Sequence, residues 1–356
     1  LSEVAPQRIL IVRLSAIGDV VMASGMIRAL RRRYPRARLV WLTGPGPDAL
    51  LRANDELDEV IVWHRHVWRD HLRRGRWLQL AGECRQLIAT LRRRQFDTAI
   101  DAQGLLKSGV WAWLSGASVR LGLGSKEGSQ WLMSRVVERS TDEACFGSEY
   151  IDAVRALGAS PMAFTPHIAT AAADRDTATA KLKAHLGDRP YIALAPFTTR
   201  PQKHWFDRYW HTLIERLIVE DGWSVIVLGG PDDGEAGDIM VSAAASYGRA
   251  TAVNLAGKTT LPETMAIIDQ AYQVIGVDTG VTHMGTASGR PTLALFGSTR
   301  PYTAPSIAST RVLFQPMTCA PCHKHPTCGG RFTCMAELTP DIVLSAARWQ
   351  LAEDTH

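Results

Sequence analysis

The chain has 356 residues, 46% hydrophobic and 21% charged, with a formal net charge of +5. At about 100–200 residues per domain that length suits two domains, and the composition excludes a disordered or low-complexity protein. No apolar run approaches the roughly 18–20 residues needed to cross a bilayer. The start, residues 1–7, has no charged segment leading into an apolar one, so the expectation is no secretory signal and a cytoplasmic protein.

In chain order, residues 8–14 read as a strand and 20–34 as a helix stopped by Pro35. Residues 38–42 make a second strand, 48–53 a short helix and 59–63 a third strand. Helical periodicity runs from 80 to 94, with a strand at 96–101. Such alternation implies a parallel sheet covered on both faces. The stretch 158–190 is less regular, with one helix at 174–185, and reads as the interdomain connection. A second run follows: strand 191–195, helix 206–219, strand 223–228, helices 234–247 and 261–268, strand 272–277, helix 281–288 and strand 291–296. The expected fold is α/β, two Rossmann-like domains facing across a cleft, spanning 1–170 and 171–338. A last helix at 339–351, in the segment 339–356, is open to either half, including packing back on the N-terminal domain.

Positive charge gathers in the first hundred residues. Arg28, Arg31, Arg32, Arg33, Arg36 and Arg38 form one cluster; Arg65, Arg69, Arg73, Arg74 and Arg76 a second; Arg92, Arg93 and Arg94 a third. Arginine at a helix C-terminus is favourable in itself. The functional alternative is an anionic partner: phospholipid headgroups, a phosphorylated glycolipid or nucleic acid. Aromatic residues that could stack bases are thin here (Trp63, Trp68, Trp77), so nucleic acid ranks last.

Val277-Asp278-Thr279-Gly280-Val281-Thr282-His283 is the most informative stretch. A strand runs into a helix there, and the first free amides of that helix can hold a phosphate. Gly280 permits close approach, Thr279 adds a hydroxyl donor and Asp278 can accept from sugar hydroxyls. An ordinary N-cap is the competing reading. Arg13-Leu14-Ser15-Ala16-Ile17-Gly18-Asp19 marks the turn after the first strand. It lacks a dinucleotide G-x-G-x-x-G but offers Asp19 as either a cap or a general base. Gly44-Pro45-Gly46-Pro47 is discounted because its prolines remove amide donors.

Thr198-Thr199-Arg200-Pro201-Gln202-Lys203-His204-Trp205 follows the first strand of the second half. Its hydroxyls and ammonium suit a diphosphate and the charge that grows on a leaving phosphate. After the next strand, Gly229-Gly230-Pro231-Asp232-Asp233 allows close approach to a nucleoside, with a plain turn as the alternative.

Cys319-Ala320-Pro321-Cys322, with Cys328 and Cys334, reads as a four-thiolate site for structural zinc or iron, with free or redox thiols as the alternative; His323 and His325 are spare ligands. Cys84 and Cys145 read as packed core thiols.

These pieces in this order resemble glycosyltransferase family 9, the heptosyltransferases of lipopolysaccharide core synthesis, which have a GT-B fold. The matching motifs are Ser15-Ala16-Ile17-Gly18-Asp19, Asp101-Ala102-Gln103-Gly104-Leu105-Leu106-Lys107-Ser108, residues 198–205, Gly229-Gly230-Pro231-Asp232, and Val277-Asp278-Thr279-Gly280 with His283. The resemblance implies an inverting, metal-independent transfer of heptose from ADP-L-glycero-D-manno-heptose to a Kdo or heptose of the inner core. It implies Asp19 as base and Lys203 as the group that stabilises the departing diphosphate. Thr198, Thr199, Thr279 and Gly280 would cradle phosphate, Asp278 the heptose, His283 would lie near the diphosphate, and Asp232 or Asp233 would meet the nucleoside. Ser15, Gly18, Gln103 and Lys107 would meet the acceptor. The segment 101–108 looks most like that of the enzyme adding the first heptose to Kdo.

No catalytic cofactor is implied. The expected partners are the ADP-heptose donor, a lipopolysaccharide core acceptor (Kdo-lipid A or its heptosylated form) and an anionic inner-membrane surface, with the protein peripheral on its cytoplasmic face. The rival readings are a nicotinamide oxidoreductase, disfavoured by the missing glycine fingerprint, a non-catalytic binder of sugar nucleotides or lipopolysaccharide, and a transferase using another nucleotide sugar.

Overall fold

The structure is a computed structural model that describes residues 5–139, 145–242, 250–302 and 309–353. Contacts divide the chain into two units. The first holds the described residues up to 139 with Gly147–Ala169; the second holds Cys145 and Phe146 with everything from Thr170 onward.

The first unit carries β1 (Arg8–Val12), β2 (Arg38–Thr43), β3 (Glu59–Val62), β4 (Thr98–Asp101), β5 (Val119–Leu123) and β6 (Arg135–Val137). They pair in the order β3-β2-β1-β4-β5-β6, all parallel. Period-two alternation in β1 sends Ile9 and Ile11 into a cluster with Met26, Ile27, Leu30 and Tyr150. Leu10 and Val12 go the other way, against Leu91, Phe96 and Trp111. Both faces are therefore buried, which is why the strand reads as a continuous apolar run.

The expected helix 20–34 is two helices, Ile17–Ala23 and Gly25–Arg33, broken at Ser24. The Ser24 hydroxyl donates back to the Val21 carbonyl at 2.7 Å and accepts from the His167 amide at 2.9 Å. Serine thus competes with the helical ladder where another segment needs a partner.

The second unit carries β7 (Tyr191–Ala195), β8 (Ser224–Val227), β9 (Ala252–Asn254), β10 (Gln273–Val277), β11 (Thr292–Phe296) and β12 (Thr310–Phe314). Their order is β12-β11-β10-β7-β8-β9, again all parallel. Counted from its own first strand, each sheet has the doubly wound order 3-2-1-4-5-6. The chain reverses direction across each sheet between β1 and β4 and between β7 and β10, where ligands bind at the carboxyl ends of strands.

The terminal helix, Pro340–Glu353, belongs to the second unit, which corrects the option that it packs back on the first. Its Val343, Leu344, Ala346 and Ala347 enter the same buried cluster as Trp205, Leu213 and Ile214. Each fully buried Val or Leu there contributes about 1.5–3 kcal/mol. Trp205 Nε1 also donates to the Leu338 carbonyl at 2.7 Å. The helix in the connecting stretch, Ala172–Leu186, likewise lies in the second unit, so the boundary falls at 169/170.

Candidate active site

In the second unit, three strand ends converge on one carboxylate. Asp278 follows β10 and is buried, 7% exposed. Lys203, in the turn Pro201–Lys203 after β7, forms an ion pair with Asp278 Oδ2 and also donates to its carbonyl at 3.4 Å. Thr299, just past β11, donates its hydroxyl to Oδ2. The other oxygen, Oδ1, lies 3.1 Å from His283 Nε2, in the helix Gly280–Ser288. Burial alone would raise this carboxyl, but His283 and Lys203 outweigh it and hold the group well below the usual carboxylate range. Asp278 is therefore an acceptor throughout the working pH range.

The helix Gly280–Ser288 has Thr279 as its N-cap in extended conformation, and no side chain caps it. Its first amides stay available to an anion beside the Lys203 ammonium. Behind His283, Tyr302 places its hydroxyl 3.5 Å from Nδ1, and the Phe146 ring stands 5.6 Å from the imidazole and 5.1 Å from Tyr302. The buried side of the imidazole is thus walled by aromatic rings, which orients its Nε2 toward Asp278.

The other residues expected at the donor lie on neighbouring loops of the same unit. Thr198 is half-buried and its carbonyl is 2.7 Å from His204 Nε2; Thr199 is exposed. In the β8 loop, Asp233 turns back so that Oδ2 accepts from the Gly230 amide at 2.7 Å, whereas Asp232 is exposed. The structural role thus falls to Asp233 and leaves Asp232 facing solvent.

In the first unit, Asp19 is the third residue of its helix, and Oδ2 accepts from the Ala16 amide at 3.0 Å. It also pairs with Arg13, whose side chain is 7% exposed against 34% for Asp19. Arg13 itself donates to the Ala102 carbonyl at 3.2 Å and lies 5.6 Å from the Tyr150 ring centroid. Asp19 is therefore both a cap and a carboxylate fixed by a buried guanidinium, with an edge left to solvent.

The segment after β4 splits into scaffold and contact residues. Asp101 Oδ1 accepts from the amides of Gln103 and Gly104 at 3.1 and 3.0 Å, and Gln103 Oε1 accepts from the Leu14 amide at 3.0 Å. Gln103 thus ties the β4 loop to the β1 loop. Gly104 has φ +71°, and a Cβ there would lie 2.3 Å from the Leu123 carbonyl oxygen, so only glycine fits. Ser108 is used locally, its hydroxyl donating to the Leu105 carbonyl at 2.8 Å. Lys107 is half-buried, and burial, then Arg65 and Arg13, push its ammonium pKa down. Ser15 is exposed and Gly18 buried beside Asp19.

Residues 84–330 match the profile of glycosyltransferase family 9 (heptosyltransferase). The chain belongs to that family. It is 28% identical to lipopolysaccharide heptosyltransferase 1 of Pseudomonas aeruginosa over 327 residues, covering 89% of this chain and 86% of the relative. The solved structure of Escherichia coli ADP-heptose lipopolysaccharide heptosyltransferase II superposes with a TM-score of 0.76 at 23% identity, covering 98% of this chain and 100% of that one. The E. coli heptosyltransferase WaaC with ADP-2-deoxy-2-fluoro heptose gives 0.68 at 20% identity, covering 98% and 100%. The two Rossmann-like units of this family-9 glycosyltransferase are those of the GT-B class.

Thr299, Tyr302, Phe146 and Arg13 join these clusters without an expected role. Thr299 had a signal: Gly297-Ser298-Thr299 follows β11 just as the recognised loops follow β7 and β10. Phe146 had none, because it is distant in sequence from His283.

The four clustered cysteines line one cavity of about 230 Å³ with Gln202, Ser298 and Met317. Cys319 is exposed and Cys334 buried, and all four are free thiols. Among the described residues no group of three or more His, Cys, Asp or Glu side chains is arranged to hold a metal ion, so the expected zinc or iron set of Cys319, Cys322, Cys328 and Cys334 does not fit as a ligand sphere. The loop is instead tied to those after β7 and β11: Gln202 Nε2 donates to the His323 carbonyl at 2.9 Å, and the His323 amide donates to the Ser298 carbonyl at 2.6 Å. Cys84 and Cys145, expected in the core, are half-buried.

Proposed function

We propose that this family-9 enzyme transfers L-glycero-D-manno-heptose from its ADP-activated form to a Kdo or heptose of the lipopolysaccharide inner core, with inversion and without a catalytic metal. The observation that carries this reading is the cluster of Lys203, Asp278, His283 and Thr299 beside an uncapped helix N-terminus at the β7/β10 switch point. The relatives named as heptosyltransferases supply the donor class.

In this reading the amides opening the helix Gly280–Ser288, the hydroxyls of Thr198, Thr199 and Thr279, and the Lys203 ammonium hold the diphosphate. Asp278, kept ionised, accepts from heptose hydroxyls, and Asp232 meets the nucleoside. Asp19 removes the proton from the acceptor hydroxyl as that oxygen attacks the anomeric carbon; the carbon–phosphate oxygen bond breaks and ADP departs with the negative charge that Lys203 takes up. Cationic groups of the chain itself thus supply the charge stabilisation. Ser15, Gly18 and Lys107 line the acceptor side, with Gln103 as the tie that holds their loops together. The acceptor is lipid-anchored, so the enzyme works at the cytoplasmic face of the inner membrane.

The test is incubation with ADP-heptose and a panel of truncated core acceptors, following ADP release and product mass by mass spectrometry. A heptosylated product from one acceptor identifies the step, and an α/β assignment of its anomeric centre by NMR decides the stereochemistry. ADP release without any heptosylated product would sink the reading.

A further inference from the structure

Between β3 and β4 the first unit carries a helical hairpin, Arg65–Arg73 and Trp77–Arg92, whose two helices touch. It is rooted by Trp63, Trp68 and Trp111, whose rings meet pairwise at 5.3–5.5 Å between centroids. Beyond that root it has almost no interior. The nine-residue first helix buries no residue, and the sixteen-residue second helix buries only Leu91. At the reversal, Gly75 adopts φ +65° and the Arg76 amide donates to the His71 carbonyl at 2.9 Å.

The tip is apolar and cationic at once. Leu72, Trp77 and Leu78 are 47%, 65% and 91% exposed. Interleaved with them are Arg69, Arg73, Arg74 and Arg76, all exposed. From Arg65 to Gln79 there are five arginines against one acidic residue, Asp70, a balance of +4 in a chain whose whole net charge is +5. Asp70 is paired with Arg74. Tryptophan and leucine beside arginine suit a bilayer interface, where rings enter the headgroup zone and guanidinium groups meet phosphate. Among the described residues no helix is long and apolar enough to cross a membrane.

We infer that the tip of this hairpin, residues 69–78, docks the enzyme on an anionic phospholipid surface, with Trp77, Leu78 and Leu72 entering the interface and Arg69, Arg73, Arg74 and Arg76 contacting lipid phosphates. The inference deepens the proposed function and rests on it for why a membrane is present. The hairpin's root is close to the acceptor side: Arg65 is one of the groups that depress the Lys107 ammonium. Docking through the tip therefore brings the bilayer toward the unit that receives the lipid-anchored acceptor.

The experiment is co-sedimentation of the full chain with acceptor-free vesicles of phosphatidylcholine alone or mixed with phosphatidylglycerol, at low and raised salt. Wild type is expected on the mixed vesicles only, with binding lost as salt rises. R73Q/R74Q/R76Q should weaken partitioning about 100-fold, from about five-fold per arginine. W77S/L78S should weaken it about ten-fold or more while keeping the salt dependence. Both variants change exposed side chains, and both should keep the wild-type melting temperature. Equal binding to both vesicle types, or undiminished binding by both variants, would overturn the inference. So would sedimentation velocity showing a wild-type dimer that W77S/L78S dissociates, since the tip would then be a self-association surface. Turnover on a soluble truncated acceptor is measured separately. Its absence alongside vesicle binding indicts the proposed function, and turnover without vesicle binding indicts the docking surface.

Discussion

Lys203 and Asp278 stand at the ends of adjacent strands, β7 and β10, and share an ion pair that His283 and Thr299 complete from the other sides of the carboxylate. The pair does two things at once. It keeps Asp278 ionised in a buried place, and it holds the Lys203 ammonium beside the free amides of the helix Gly280–Ser288. On the proposed function, an incoming diphosphate would meet a cation already positioned by the sheet.

Replacing Lys203 with methionine keeps the stem and removes the charge. Loss of one such stabilising group lowers kcat by about 100- to 1,000-fold. D278N should lower turnover as well, and K203M/D278N should lose less than the product of the two single losses, because the residues act as a unit. Steady-state ADP release measures all three, and a K203M enzyme with unchanged kcat would remove lysine from the leaving-group role.

Acid stability follows from the same carboxylate. The Asp278 pKa is depressed on folding, so its contribution is complete above the unfolded value of about 3.9 and is lost as pH falls toward the folded one. Urea unfolding of wild type and D278N should therefore differ by a constant amount above about pH 5 and converge below about pH 4. Curves that keep the same separation down to the acid limit would contradict the pairing.

Asp19 is tied to Arg13 and to the Ala16 amide, and it belongs to a different unit from Lys203 and Asp278. D19A should abolish turnover while calorimetry shows ADP binding unchanged. Retained turnover would show that the carboxylate serves only its helix.

Gly104 is confined by its positive φ and by the Leu123 carbonyl oxygen. G104A should cost about 2–4 kcal/mol and lower the melting temperature by about 5–10 °C. A melting curve that superposes on wild type would mean that the loop relaxes freely.

Among the clustered thiols, Cys328 receives backbone amides, Phe332 foremost, which lower its pKa, while burial raises those of Cys322 and Cys334. Limited iodoacetamide treatment followed by peptide mapping should find Cys328 labelled ahead of those two. Preferential labelling of Cys334 would refute that ordering.

The architecture was legible because buried parallel strands such as 191–195 and 272–277 are continuous apolar runs ending at recognisable turns. β5 was not, since Arg120 and Gly122 interrupt its apolar pattern, and β6 and β9 are only three residues long. The helix Arg65–Arg73 escaped because none of its residues is fully buried and Trp68 packs only partly buried on the core, which leaves little core stripe to read. The expected helix 234–247 is seen as Gly234–Ser242, its remainder lying outside the described residues. Asp278 and Lys203 were legible from position after strands, whereas Tyr302 and Phe146 act through a tertiary stack that spacing does not encode.

Phe146 precedes the 169/170 crossover in sequence yet belongs to the second unit, where its ring stands against His283 and Tyr302. A gene fragment begun at Thr170 would keep every loop named for the nucleotide but leave that ring behind. The imidazole would lose one of its walls, so a second half cut at the obvious seam starts with a hole beside its own histidine.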